Sequence, residues 1–262
     1  MNPELARRIA DALDRLAPPD PPEADIAQGR HFRWDGRRLW AVGSAAPLGL
    51  ERFVGVDSQK AALMQNVGAL AAGVAAHDML LWGARGMGKS ALVRSIAAAR
   101  SIALVQAAGD QLGTLPDLFG RLEQVARPFL LFVDDLAFGA ADPSVRLLRS
   151  VLDGGIAERP ANVRLAVTSN HRHLVERTAA DARHARDSTD DQLALVDRFG
   201  LVLGFHAPDQ DCYLAMVRSH LGAEGLDFAP EDAIAFALAR GGRSGRTAWH
   251  YRTEILARNA VG

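Results

Sequence analysis

The sequence predicts an α/β fold: a parallel sheet with helices on both faces, followed by a small helical lid. Three observations predict it. From Phe53 onward, short apolar runs at 78–82, 102–106, 129–133, 163–168 and 201–205 alternate with stretches of helical periodicity, and such alternation builds a parallel sheet covered by its own crossover helices. The first of these runs passes through a glycine-rich loop directly into a helical stretch. After Pro208 the strand pattern stops, and helix candidates follow at 209–221, 230–240 and 247–259.

The elements follow in chain order. Pro3–Leu16 places Leu5, Ile9, Leu13 and Leu16 on one helical face, and the following "APPDPPEAD" can continue neither a helix nor a sheet. In "HFRWDGRRLWAVG", Asp35-Gly36 lies between two aromatic-containing runs and reads as a hairpin turn. Phe32, Trp34 and Trp40 of that hairpin have two uses, contact with a partner or base and packing against the main domain; packing is the expected one. The division expected is 1–47 for helix, linker and hairpin, 48–207 for the α/β sheet domain, and 208–262 for the lid.

Composition narrows the function. A chain of 262 residues with 48% hydrophobic content has enough apolar material for a large core. Its net charge of −1 gives no global basic field to hold nucleic acid, which leaves only a local cue in "HRHLVERTAADARHAR" at 171–186, whose mixed charge also suits a solvated helix face. One cysteine, Cys212, permits no internal disulfide and no thiolate cluster. The N-terminal stretch carries charges throughout and no run of eighteen apolar residues occurs, so the expectation is a cytoplasmic protein without membrane contact.

The loop in "MLLWGARGMGKSALVRSIAAA" carries the chemistry. Gly83, Gly88, Lys89 and Ser90 meet the pattern G-x-x-x-x-G-K-[ST], and Ala84, Arg85, Gly86 and Met87 fill it, with Ala91 next in the helix. Lysine occurs only at Lys60 and Lys89 among 30 basic residues, so one of two lysines falls where a phosphate loop needs a slim point charge. Glycines there let backbone N–H groups turn inward, and the helix N-terminus adds partial positive charge. The competing reading is a plain strand-to-helix turn.

Further residues line up behind that loop. "PFLLFVDDLAF" ends an apolar strand in Asp134 and Asp135, at the sheet edge where open α/β folds bind ligands. There Asp134 would hold Mg²⁺ through water, Ser90 would supply a direct oxygen, and Asp135 would orient or deprotonate the attacking water. "VRLAVTSN" runs out into Asn170, an amide able to meet both a γ phosphate and a lytic water. Arg198 precedes the last strand and Arg246 opens a lid helix. Their planar forks suit a phosphate whose charge is spreading.

In this order the motifs resemble those of the AAA+ ATPases over residues 48–260: a box "FVGVDSQKAAL", Walker A at Gly83 to Ser90, Walker B ending at Asp135, sensor-one Asn170, finger Arg198 and sensor-two Arg246. At finer grain, "FRWDG", "FVDDLAF", "RLAVTSNHRHLVE" and "LVDRFGLVLGF" resemble the bacterial AAA+ family called domain of unknown function 815. The resemblance implies a five-stranded sheet of order 5-1-4-3-2. It also implies that Val54 and Gly55 border the adenine, and that Arg198 acts on a neighbouring copy's ATP within a ring or open spiral. Many members of the superfamily carry Asp-Glu at Walker B. The Asp-Asp form found here also resembles that of the helicase-loader and replication-initiator branch.

The leading expectation is a slow Mg-ATPase that remodels or loads a macromolecular client. A small-molecule P-loop kinase and a nucleotide-gated binding module with little turnover are the alternatives. An N-K-x-D motif for a GTPase and an L-S-G-G-Q signature for an ABC protein are both missing.

Overall fold

The computed structural model describes residues 3–16, 23–43, 46–138, 143–154, 159–170 and 194–261. The charged stretch 171–186 therefore lies outside the described residues.

Each central strand is short and apolar on both faces, as buried parallel strands must be. β3 (Met79–Gly83), β4 (Ala103–Ala107), β5 (Phe129–Val133) and β6 (Val163–Thr168) are almost wholly buried, and β7 (Leu201–Phe205) is half-buried at the sheet edge. Alternate residues feed two cores: Leu80 and Trp82 join one cluster, Met79 and Leu81 the other. The first cluster takes in α4 (Leu115–Glu123) and α5 (Pro143–Leu152). The second takes in α2 (Asp57–Ala71), α3 (Lys89–Ala99) and the C-terminal helices α6 (Gln210–Gly222), α7 (Pro230–Ala239) and α8 (Gly245–Val261).

Taken in chain order, strands β3 to β7 have the expected arrangement 5-1-4-3-2, but the sheet itself has seven strands, ordered β2-β1-β4-β5-β6-β3-β7. The two additions are the hairpin strands β1 (His31–Trp34) and β2 (Leu39–Ala41), β1 pairing parallel to β4. The expectation of five strands is thereby corrected, and the reason is physical. Without the hairpin, β4 would present an open edge and Phe32, Trp34 and Leu39 would have no core to enter. In the sheet these three are buried, and Trp34 Nε1 donates to Thr114 Oγ1 at 2.8 Å. Trp40 and its cross-strand partner Arg33 face outward instead. α1 (Pro3–Leu16) precedes the hairpin, with Leu5 and Ile9 exposed.

Among the C-terminal helices, Asp209 caps α6 by accepting from Cys212 N, as an aspartate at a helix start does. Tyr213 Oη donates to Ala233 O at 3.2 Å, which ties α6 to α7. Among the described residues no helix is long and apolar enough to cross a membrane.

Candidate functional site

The backbone between β3 and α3 explains why the glycines are where they are. Gly83 has φ +120 and lies so near β7 that a Cβ would stand 2.2 Å from Phe205 O. Gly86 has φ +76, and a Cβ there would stand 2.9 Å from Ser244 Oγ in the approach to α8. The loop thus touches β7 at its start and the lid at its apex, where Arg246 N donates to Gly86 O at 2.9 Å. α3 then begins at Gly88 with no side-chain cap, which leaves its first N–H groups to the loop and to whatever binds there.

Lys89 is 6% exposed, and its ammonium donates to Gly83 O and Ala84 O at 2.9 Å and to Asn170 Oδ1 at 3.0 Å. All three acceptors are neutral oxygens. Burial lowers its pKa to about 8, against the opposing pull of Asp135 and Asp134 and with help from Arg246 and Arg85. A buried cation bonded to no carboxylate is an anion-binding arrangement.

Opposite it, Asp134 is held from three sides. Ser90 Oγ donates to Oδ1 at 2.5 Å, Thr168 Oγ1 donates to the same oxygen at 2.6 Å, and Arg94 reaches Oδ2 at 3.3 Å. Thr168 also accepts from Asp135 N at 2.8 Å, so one hydroxyl fixes both aspartates. Asp135 has φ +54, and its carboxylate accepts from Asn170 Nδ2.

These groups surround one cleft of about 490 Å³. Val54, Gly86, Met87, Gly88, Lys89, Ser90, Ala91, Asp134, Asp135, Asn170 and Arg246 all line it. Gly83 and Ala84 lie beneath it as Lys89 acceptors, while Arg85 is exposed beside it. Gly55 does not line it but turns with φ +75 against Cys212 of α6. Arg198 is also outside the cleft, its guanidinium bonded to both oxygens of Asp153 and to Ala194 O.

Several lining residues escape a reading of the sequence. Arg52, Met216, His220 and Trp249 close the end of the cleft away from the loop, and only the folded lid brings them together. His220 is buried, its Nδ1 has no hydrogen-bond partner, and its ring meets Trp249 edge-on at 5.4 Å. Arg94 did leave a signal: it stands one helical turn beyond Ser90, hence on the same face of α3.

The residues present fit a polyphosphate and a hard divalent cation. Lys89 and the uncapped helix start offer charge and donors to the first, and the Ser90 and Asp134 oxygens are hard ligands of the kind Mg²⁺ takes.

The chain has an α/β fold of the AAA+ P-loop type. A profile of the family described as "Protein of unknown function (DUF815)" matches residues 27–259, and the chain belongs to that family. No curated protein matches the chain by sequence. Among solved structures, the chain is similar in fold to Thermotoga maritima RuvB, a Holliday junction branch migration motor: 19% identity over 82% of this chain and 66% of that one, with a TM-score of 0.54. Two variants of the same RuvB, each at 20% identity, give TM-scores of 0.56 over 82% of this chain and 66% of that one, and 0.57 over 83% and 68%. Against the first, the chain thus spans just under two thirds of the RuvB length, and at this identity the likeness is one of fold.

Proposed function

We propose that this chain is a slow Mg-dependent ATPase that couples ATP binding and hydrolysis to remodelling or loading of a macromolecular partner in the cytoplasm. The observation that supports it best is Lys89: a buried ammonium on neutral loop oxygens, facing a hydroxyl and carboxylate pair across one cleft.

Lys89 exchanges the Gly83 and Ala84 carbonyls for the β and γ phosphates of ATP, and the backbone N–H groups from Gly86 to Ala91 hold the remaining phosphate oxygens. Val54 borders the adenine, and Gly55 turns the chain behind it against Cys212. Ser90 and Asp134 hold Mg²⁺, which when bound supplies positive charge to the phosphate oxygens. Asp135 orients the attacking water and takes its proton, with Asn170 fixing the carboxylate and contacting the γ phosphate. Arg246 brings the lid's charge to the phosphates. Arg198 serves a neighbouring copy, in a ring or open spiral, as an arginine that lies outside its own cleft would.

Equilibrium binding of a fluorescent ATP analogue tests this reading. Lys89→Ala is expected to lose measurable Mg-dependent binding, since Lys60 is engaged elsewhere with Asp57. Unchanged affinity would remove the phosphate loop from the account.

A further inference from the structure

The hairpin added to the sheet carries an exposed arginine, Arg33, on the face turned away from its buried aromatics, and a groove beside that face adjoins the cleft. Register and burial agree on which side is which: Phe32, Trp34 and Leu39 go inward, while Arg33 is exposed beside the half-buried Trp40. Arg33 is also the register partner of Gln106 on β4. Between this face and α3 lies a second groove of about 330 Å³, lined by His31, Gln106, Arg94 and Ser95 over an apolar floor. It shares Leu48, Ala91 and Arg94 with the nucleotide cleft, so the two are continuous.

The groove offers a hydrogen-bonding occupant a buried hydroxyl, and an exposed arginine stands on the hairpin beside it. Among the described residues no carboxylate lines it. Ser95 is 3% exposed, and its hydroxyl has no hydrogen-bond partner. An orphaned buried hydroxyl costs free energy until something meets it. Arg94 turns one nitrogen toward Asp134, and Arg33 stands at the groove's outer margin.

The chain carries a segment of matching charge beside the arginine that must reach a neighbour's cleft. Residues 187–197 contain Asp187, Asp190, Asp191 and Asp197 and no lysine or arginine, and Arg198 follows at once. Asp197 is exposed, and Asp153 on the other side of Arg198 grips its guanidinium. Because Asp197 directly precedes Arg198, an Arg198 that enters one copy's nucleotide cleft carries that exposed carboxylate with it toward the adjoining groove. We propose that the outer face of the β1–β2 hairpin, with the groove behind Arg94 and Ser95, receives the acidic finger-bearing end of a second copy of this chain. This rests on the reading that Arg198 acts in trans, and it gives the hairpin a part in assembly.

Charge exchange in the full-length protein tests it, read as the midpoint concentration of self-association by sedimentation velocity with a non-hydrolysable ATP analogue and Mg²⁺. Arg33→Asp alone and Asp191→Arg with Asp197→Arg are each expected to raise that midpoint about tenfold, and their combination in one chain to recover most of it. Binding of the fluorescent ATP analogue to the dilute protein should be the same in all, because Arg33 lies outside the cleft. A wild type that associates while its variants keep the same midpoint would overturn the docking alone. Weakening without recovery would show an interface whose occupant is not the acidic segment, and so also overturn it. A wild type that binds the analogue but stays monomeric would overturn the trans reading and this inference with it. A fluorescent single-stranded oligonucleotide whose binding vanishes in Arg33→Asp, with self-association unmoved, would assign the face to nucleic acid instead.

Discussion

Asp135 occupies backbone that few residues tolerate. At φ +54 it is in the left-handed region, which aspartate enters more readily than glutamate because its short side chain bonds locally. Its carboxylate is also already met by Asn170, and its N–H by Thr168. A glutamate would have to carry one more methylene into that arrangement on a strained backbone. Asp135→Glu is therefore expected to lower steady-state phosphate release, by about tenfold or more, whereas Asp135→Asn should keep Mg-ATP binding and nearly abolish release. Turnover raised by the longer acid would mean that reach, not fit, limits the wild type. His220 offers a test without nucleotide. Burial, then the neighbouring Arg52 and Arg252, pushes its pKa down to about 4 from 6.5. Between those values the unfolded chain binds a proton that the folded chain does not, so stability falls as pH drops through this window, by up to about 3 kcal/mol at its lower end. Urea unfolding at pH 7 and pH 5 should show part of that loss in wild type and a flatter dependence in His220→Leu. Residues such as Lys89, Asp134 and Asn170 were legible because motif spacing fixes them along one chain segment each. His220, Trp249 and Arg52 were not, since three distant segments make that end of the cleft and no local pattern marks it.

Elements were legible where their pattern is local. The runs 129–133, 163–168 and 201–205 emerge as β5, β6 and β7 without a shift, and 78–82 and 102–106 each move by a single residue. Where β1 would pair was not legible. A four-residue strand states its own alternation but not its neighbour, and the aromatic pattern fits a free hairpin as well as a sheet extension. The extension makes a prediction. Trp34 is fully buried with its indole N–H bonded across to Thr114, so Trp34→Ala is expected to cost about 3–5 kcal/mol in urea unfolding. Trp40→Ala, on the outward face, should cost under about 1 kcal/mol. Equal small losses would mean that the hairpin is only loosely joined to the sheet. The loop start is just as exacting: Gly83→Ala sets a Cβ against the Phe205 backbone at φ +120, and is expected to destabilise by at least about 2 kcal/mol.

At the scale of the whole molecule, the cleft holds every proposed catalytic and metal-holding group except one. Lys89, Ser90, Asp134, Asp135, Asn170 and Arg246 converge on it, and Arg198 is bonded to Asp153 outside it. The resemblance to the AAA+ ATPases implies a finger that acts on a neighbouring copy, and that role for Arg198 is the proposal to be tested. If a neighbour supplies Arg198, turnover depends on protein concentration, and Arg198→Ala should lower it by up to about 10³-fold while leaving ATP binding intact. The most direct test is phosphate release from a mixture of Lys89→Ala and Arg198→Ala proteins. Each alone should be near background. Mixed, an intact Arg198 from the first faces an intact Lys89 loop in the second, and a substantial fraction of wild-type turnover is expected to return. No recovery on mixing, with a wild-type rate per chain that does not change with concentration, would contradict an ATP site completed by a second copy.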